Sequence, residues 1–511
     1  MTTSAVGRTP ESSRGQWTVV WVAVAVVAVL ATWNSVHKSM WVDEMYSFYA
    51  ASLSLPGTIH RALRYELQPP LYFVALNLWM HIHRGVMVGR ALSTVAAMGC
   101  VVAVGATARR FGVRRWALVS IVAAVTPGVI WAAAEMRGYA MVLLLVSLTW
   151  YFFAGITDPD RTSAPRTADQ VGYVLSGAAL LLCFYFGAFV LLGQWVAAGV
   201  IRRQWQRVTG LLAIASLVLL PLVRVILWQV SAHPFVGEER LDAAAAPAHA
   251  VAATIGTLGQ AIGGGAPLLG RTAVVAAICA ALLVGCAFLL RNRRERWTAT
   301  DTTVIVAAIV PAVCLGVMRL FNLTSVASRH AVVLEPGVLL AATMWARAIR
   351  PSAVRASVAG LLGLILVACL LSFERNDVQH EDWRGVAAYV TTHADSADVV
   401  LVYDPDKVLP FNYYYRGRSR VYTLPIDIDL THYRPSEYAL VDTAQVASRM
   451  QVIGAAALPR PDMWVMVPVN WPPTAPNQPL ALVTTYLHAH YPLVDPIGHY
   501  DGVHLLHAHA R

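Results

Sequence analysis

The sequence predicts a mainly α, polytopic membrane protein that carries a small α/β domain at its C-terminal end. Three observations lead there. Apolar residues make up 57% of the 511 and charged residues 13%, and the mean hydropathy of +0.54 lies far outside the soluble range. Many apolar stretches approach the roughly 20 residues that a helix needs to cross a hydrocarbon core about 30 Å thick. Short arginine clusters separate these stretches up to residue 372, after which helix-like and strand-like runs alternate. The formal charge of +10 does not indicate nucleic acid, because the basic residues sit between apolar runs as topology determinants do.

In chain order, residues 1–16 form a cytoplasmic tail and the apolar run 17–35 an uncleaved anchor, since no small-residue cleavage site follows it. Further spans are expected at 88–108, 116–133, 137–156, 171–184, 187–201, 208–230, 271–290, 302–320, 331–347 and 354–372, about 11 in all. With the N-terminus inside, the clusters at Arg109/Arg110/Arg114/Arg115, Arg202/Arg203/Arg207, Arg291/Arg293/Arg294/Arg296 and Arg347/Arg350/Arg355 all fall on the cytoplasmic side, as the positive-inside rule requires. The transmembrane domain then runs over 17–372. Its first outer loop, 36–87, contains an apolar stretch, Pro69 to His83, that is too short to span and reads as an interfacial helix.

Residues 373–511 read as an extracytoplasmic α/β domain. Helical stretches at 381–392, 438–450 and 480–490 alternate with strand-like runs at 398–403, 420–424, 463–469 and 503–507. All six cysteines lie in or beside apolar segments, so no disulfide framework is implied. Lys38 and Lys407 are the only lysines, an arginine bias that indicates a GC-rich bacterium and hence a bacterial plasma membrane.

On this topology the chemistry-bearing residues share the outer side. Asp43 and Glu44 follow the first span; they read either as solvated charges in the first turn of a helix or as an acid site in which Asp43 takes a proton from an attacking hydroxyl. Glu135 closes the third span and, between two apolar helices, must face the protein or pair with Arg137. Arg90 opens the second span and Arg329-His330 the tenth; each is ordinary as a snorkelling anchor, and together they suit a phosphate. Gln68-Pro69-Pro70-Leu71-Tyr72 starts a helix sharply. The histidines 488, 490, 499, 504, 507 and 509 crowd the C-terminus. The spacing of His507 and His509 puts two rings on one strand face, but without a cysteine or carboxylate pattern beside them a metal site is the lesser reading.

These residues, in this order, resemble motifs of the GT-C superfamily of integral-membrane glycosyltransferases, in particular the family 39-like bacterial relatives of protein O-mannosyltransferases and lipid A aminoarabinose transferases. Asp43-Glu44 is similar to the first-loop acidic motif, Gln68-Pro69-Pro70-Leu71-Tyr72 to a His-Pro-Pro-Leu-Tyr segment, and Arg90-Ala91-Leu92 to an Arg-Leu-Pro segment. Glu135-Met136-Arg137-Gly138-Tyr139 resembles Glu-Ala-Arg-Pro-Tyr, Ser328-Arg329-His330 through Pro336 resembles an Arg-Tyr…Pro segment, and Asp382-Trp383-Arg384 resembles the outer domain's Asp-Trp-Arg. Gln68 departs from the usual histidine, His330 from the usual aromatic, and Cys183-Phe184-Tyr185 from His-Tyr.

The resemblance implies a GT-C fold and transfer of a sugar from a polyprenyl-phosphate donor to a glycan, lipid or protein hydroxyl. It makes Asp43 the base beside Glu44, Glu135 a second acid, and Arg329, His330, Arg90 and Arg137 the phosphate contacts, with Gln68, Pro69, Pro70, Tyr72 and Tyr139 lining the site. It fixes no cofactor, and a divalent ion on Asp43, Glu44 or Glu135 is an addition that it allows. The rival from another class is a lipid-linked substrate transporter or flippase. It ranks lower because the span interiors look nearly free of charge, with Arg224 the main exception, and no repeat is visible.

Overall fold

The computed structural model describes residues 10–158, 165–232, 254, 298–321, 326–349, 352–375, 381–430, 440–455, 459–469, 478–498 and 500–510. The chain divides into two compact units, one of residues 1–36 and 50–376, the other of 37–49 and 377–511.

The first unit is helical. Among the described residues six helices are long and apolar enough to cross a membrane, or seven if a bent pair counts as one span. They lie within α1 (Pro10–His37), α5 (Val86–Arg110), α8 (Tyr139–Ile156), the run α11 (Trp205–Ser216) to α12 (Val223–Ala232), α13 (Ala299–Leu320) and α15 (Ser352–Arg375). Short helices α2 (Val42–Ser52), α3 (Leu55–Arg64) and α4 (Leu71–Trp79) lie between α1 and α5. Large apolar side chains are left exposed on these helices, Val29 and Trp33 on α1 and Leu361 and Leu364 on α15 among them. Such a surface is stable against lipid and costly against water. The chain is a multi-pass membrane protein.

The expected spans differ from the observed helices where local chemistry intervenes. The stretch 116–133 is not one straight helix but the pair α6 (Ala117–Ala124) and α7 (Pro127–Ala134), bent by 64°. Pro127 occupies the first turn of α7, where its missing N–H and fixed φ start a helix but cannot continue one. The stretch 331–347 begins as a 3₁₀ turn, Ser328–Leu334, and becomes α-helical only in α14 (Glu335–Ala348), 14 residues or about 21 Å. Helices α9 (Thr167–Cys183) and α10 (Gly187–Val200) are likewise apolar but short. The expected span 271–290 and the cluster Arg291 to Arg296 lie outside the described residues. The eleven-span count is therefore neither reached nor completed by these helices.

Helix packing in lipid depends on close backbone approach, because tails are as apolar as side chains. Gly193 of α10 shows this most sharply, since a Cβ there would overlap the Ala307 carbonyl oxygen of α13 and crowd Pro311. Helix α13 itself starts with a reciprocal cap, in which Thr298 Oγ1 accepts from Asp301 N at 3.1 Å and Asp301 Oδ2 accepts from Thr298 N at 3.0 Å.

The second unit holds a five-stranded sheet of order β2-β1-β3-β5-β4, with β1 (Val399–Tyr403), β2 (Arg420–Leu424), β3 (Met463–Pro468), β4 (Leu493–Pro496) and β5 (Val503–His509). β1 pairs parallel with β2 and β3, and β5 antiparallel with β3 and β4. The run Val-Val-Leu-Val of β1 is apolar on both faces because helices cover both. Helices α16 (Trp383–His393) and α17 (Val408–Tyr414) bury Trp383, Val386 and Phe411 against Val400, Val402 and Met466. On the other face α18 (Thr443–Val452) and α19 (Gln478–His490) bury Met450, Val483 and Leu487 against Leu401 and Val465. The expected helix 438–450 is observed as Thr443–Val452, where Asp442 caps it by accepting from Gln445 N. Edge strand β4 has no counterpart among the expected strands.

Substituting Gly193 by valine should push α10 and α13 apart and destabilise the helical unit by about 1–3 kcal/mol, the usual cost of overpacking. Thermal unfolding of the detergent-solubilised chain reads this as a lower midpoint. An unchanged midpoint would mean that the two helices do not pack at this glycine.

Candidate active site

Asp43 and Glu44 occupy the first turn of α2, where the unsatisfied N–H groups favour negative charge. They are not equivalent. Glu44 is fully buried and Asp43 only half-buried, so Asp43 is the more accessible acid of the two. No step below runs through a divalent ion on Asp43, Glu44 or Glu135.

Residues 37–49 belong to the second unit because Asp382-Trp383-Arg384 grips them. Ser39 Oγ donates to Asp382 Oδ1 at 3.3 Å and accepts from Arg384 N at 3.2 Å, and Arg384 Nη2 donates to the Lys38 carbonyl at 3.3 Å. Asp382 also caps α16 by accepting from Gly385 N at 2.9 Å. Met40 N donates to the Tyr414 hydroxyl at 2.9 Å, and Tyr46 lies 3.5 Å from Asp406 Oδ2. One aspartate thus ties the helix start of the sheet domain to the segment that carries Asp43.

Beneath α2 lies a charge network that sequence reasoning missed. Lys407 Nζ is 3.1 Å from Glu381 Oε1, and Trp383 Nε1 donates to Glu381 Oε2 at 2.6 Å. Burial pushes the Asp406 carboxyl above the ordinary range, with Lys407 opposing and the charges of Glu381 and Asp43 adding to it. For Lys407 burial works against the charge, but Glu381, Asp406 and Asp404 outweigh it and hold the ammonium above the usual lysine range. Asp406 is therefore a carboxyl that stays protonated to higher pH than most. Its only sequence signal was Lys407, one of two lysines in the chain.

The remaining site residues lie in the helical unit. Arg137 Nη1 pairs with Glu66 Oε2 at 3.4 Å, and Arg61 Nε with Glu66 Oε1 at 3.4 Å, all three side chains at least nine-tenths buried. Glu66, two residues before Gln68 and absent from the expected site, is thus an acid partner of Arg137. Between them Leu67 takes φ +54°, a left-handed conformation that bulky residues seldom adopt. Pro70 precedes α4, and Tyr72 on its first turn is buried against Gly138, where a Cβ would come within 3.3 Å of the ring. Glu135 is fully buried at the C-terminal end of α7, and Tyr139 packs on Trp131 with ring centroids 4.8 Å apart. Arg90 is buried, donates to the Ser35 carbonyl at 2.7 Å, and follows Gly89, whose missing Cβ makes room for Met136.

Arg329 and His330 stand in the 3₁₀ turn, not at the start of a spanning α-helix. His330 Nδ1 accepts from Ala327 N at 3.1 Å, and its ring lies 6.1 Å from Phe184 and 5.3 Å from Phe186. Two of the three places where the sequence departs from the motifs it resembles, Cys183-Phe184-Tyr185 and His330, are therefore neighbours. Glu335 corrects one expectation: it lies in the stretch read as a charge-free span interior, is buried, and among the described residues neither of its oxygens has a hydrogen-bond partner.

Replacing Lys407 by methionine leaves Glu381 buried without its counter-charge, which should destabilise the sheet unit by about 3 kcal/mol. Because the lysine's raised ionisation contributes stability that is complete below the ordinary lysine range and lost above it, the wild-type advantage should shrink as the buffer passes through that range. Equal unfolding midpoints for wild type and variant at neutral pH would contradict the network.

No protein-family model and no curated protein matches the chain by sequence. Solved structures do. ArnT from Cupriavidus metallidurans in the apo state superposes with a TM-score of 0.57 at 15% identity, over 98% of this chain and 99% of that one. The same protein bound to undecaprenyl phosphate gives 0.57 at 14% identity, over 96% and 98%. The apo oligosaccharyltransferase of Archaeoglobus fulgidus gives 0.50 at 11% identity, over 89% of this chain and 69% of that one. At these identities the likeness is one of fold, and it extends over nearly the whole chain: the protein has the GT-C fold.

Proposed function

We propose that this protein is an inverting membrane glycosyltransferase that moves a sugar from a polyprenyl phosphate to a hydroxyl group on the outer side of a bacterial plasma membrane. The observation that carries the reading is the attachment of the Asp43 segment. The segment that leads into the half-buried Asp43 is bonded at Ser39 and Lys38 by Asp382 and Arg384, so two motifs that resemble the family meet in one hydrogen-bonded unit. A neighbour of the same fold binds undecaprenyl phosphate, which supports a lipid-phosphate donor here.

In the proposed reaction the Asp43 carboxylate accepts the proton of the acceptor hydroxyl as that oxygen attacks the anomeric carbon. The bond from this carbon to the phosphate oxygen breaks with its electron pair, and polyprenyl phosphate leaves from the opposite face. The leaving group is already an anion at neutral pH, so it needs a cation more than an acid. Arg90, Arg137 and Arg329 are assigned that role, with His330 a neutral donor beside Arg329. Glu66 sets the orientation of Arg137, and Glu135 is assigned to the acceptor. The outer location follows from the arginine clusters, and it requires a donor that crosses the membrane on a lipid.

The test is incubation of the purified chain with a panel of polyprenyl-phosphate sugars and measurement of free polyprenyl phosphate. Turnover of at least one donor is expected, and Asp43→Asn should lower the rate by about 10²–10⁴-fold, the usual contribution of a general base. Full activity in that variant removes Asp43 from the mechanism, and turnover of nucleotide sugars alone overturns the outer-face reading.

A further inference from the structure

The last strand carries a cluster that the transferase reading does not use. His507 and His509, two residues apart on β5, project from one face of the sheet, and the register places Trp464 of β3 and Asp495 of β4 on either side of His507. Asp462, immediately before β3, completes the group. His507 Nε2 is 3.4 Å from Asp462 Oδ2, and His509 Nδ1 is 3.9 Å from the same oxygen. Among the described residues this is the one trio of histidine, cysteine or acidic side chains whose ligand atoms all lie within 4.8 Å of one another. We propose that Asp462, His507 and His509 bind one divalent transition-metal ion of the zinc class.

Geometry and chemistry agree on the class of ion. Four ligands placed tetrahedrally at zinc's bond lengths of about 2.0–2.1 Å stand roughly 3.3 Å apart. The two measured separations need only a small side-chain rotation to reach that value. Two imidazoles and one carboxylate suit zinc and its neighbours in the transition series, whereas magnesium and calcium call for more oxygen ligands than the trio offers.

The groups behind the ligands are also those of a built site. His509 Nε2 lies 3.1 Å from Asp495 Oδ2, so its N–H is donated there and the Nδ1 lone pair is left facing Asp462 and His507. Asp462 Oδ1 accepts from Ala510 N at 2.8 Å, which turns Oδ2 toward the two rings. His507 stacks on Trp464 with ring centroids 3.8 Å apart, and Trp464 Nε1 is itself fixed by Asp398 Oδ2 at 3.0 Å. Every ligand is oriented by a partner that is not a ligand, a feature of metal centres more than of surface ion pairs. An ion here ties the end of the chain's last strand to the start of its central antiparallel pair.

The proposal is independent of the transferase reading. Full-length protein purified without a polyhistidine tag is stripped with a chelator, equilibrated with zinc sulfate, freed of loose ion and measured for bound zinc. One zinc per chain and a higher unfolding midpoint with zinc are expected. His507→Ala with His509→Ala should abolish both. Asp495→Asn, which leaves the ligands in place, should weaken binding about 10–100-fold. Cobalt in place of zinc should give the intense visible bands of a tetrahedral site. Absence of stoichiometric zinc in wild type, or its retention by the double variant, overturns the site. Because Asp495→Asn keeps the core of the sheet, zinc affinity unchanged in that variant would contradict the assigned arrangement even if the double variant failed to fold.

Discussion

The short segment that follows the first helix is anchored to the C-terminal sheet domain through Asp382, and Asp43 owes its fixed position to that anchor. Asp382 has two roles through one oxygen, Oδ1: it accepts from Gly385 N at the start of α16 and from the Ser39 hydroxyl. An N-cap contributes roughly 1 kcal/mol to a helix. Here the cap also fixes a loop that is more than 340 residues away in sequence, with Arg384 holding the Lys38 carbonyl and Tyr414 the Met40 amide. These bonds fix the residues that lead into the helix on which the half-buried Asp43 stands. Preorganisation of this kind is what general-base catalysis requires of a carboxylate.

Buried charge is the second constraint, and at Glu66 and Glu381, one in each unit, it is met by pairing, whereas Glu335 is buried with no hydrogen-bond partner among the described residues. Glu66 is shared by Arg61 and Arg137, while Glu381 is shared by Lys407 and the Trp383 indole. Buried pairs of this sort rarely add net stability over apolar residues of the same size, but breaking one is expensive. Their value is in orientation. Arg137 is held by Glu66 in the helical unit, and Lys407 by Glu381 in the sheet unit. The upward shift of the Asp406 carboxyl belongs to the same constraint, because burial, and then the charges of Glu381 and Asp43, favour a proton there over another negative charge.

Much of the architecture is written in periodicity and composition, and the parts that are not share a physical cause. Long apolar runs such as Val86–Arg110 and the all-apolar strand Val399–Tyr403 are legible because burial dictates each residue. The bend at Pro127 could have been read from the proline, whereas the 3₁₀ turn at Ser328–Leu334 has no local signature. Strand β4 is missed because an edge strand that buries little carries no alternation, and Leu-Val-Asp-Pro reads as a loop. Individual motifs were visible, but their partners were not. Glu66 meets Arg137 across 71 positions, and Asp462 meets His507 across a sheet register that no spacing rule contains. The histidine pair has no carboxylate nearby in sequence; Asp462, just before β3, and Asp495, on β4, reach it only through the sheet.

The central claim is that an outward-facing aspartate drives a single displacement at an anomeric carbon, with a lipid phosphate as leaving group. The stereochemistry of the product tests this most directly. Nuclear magnetic resonance of the glycosylated acceptor, formed from a donor of known anomeric configuration, should show that configuration inverted. A product that retains the donor's configuration would require a second displacement through a covalent intermediate, and it would contradict the role given to Asp43.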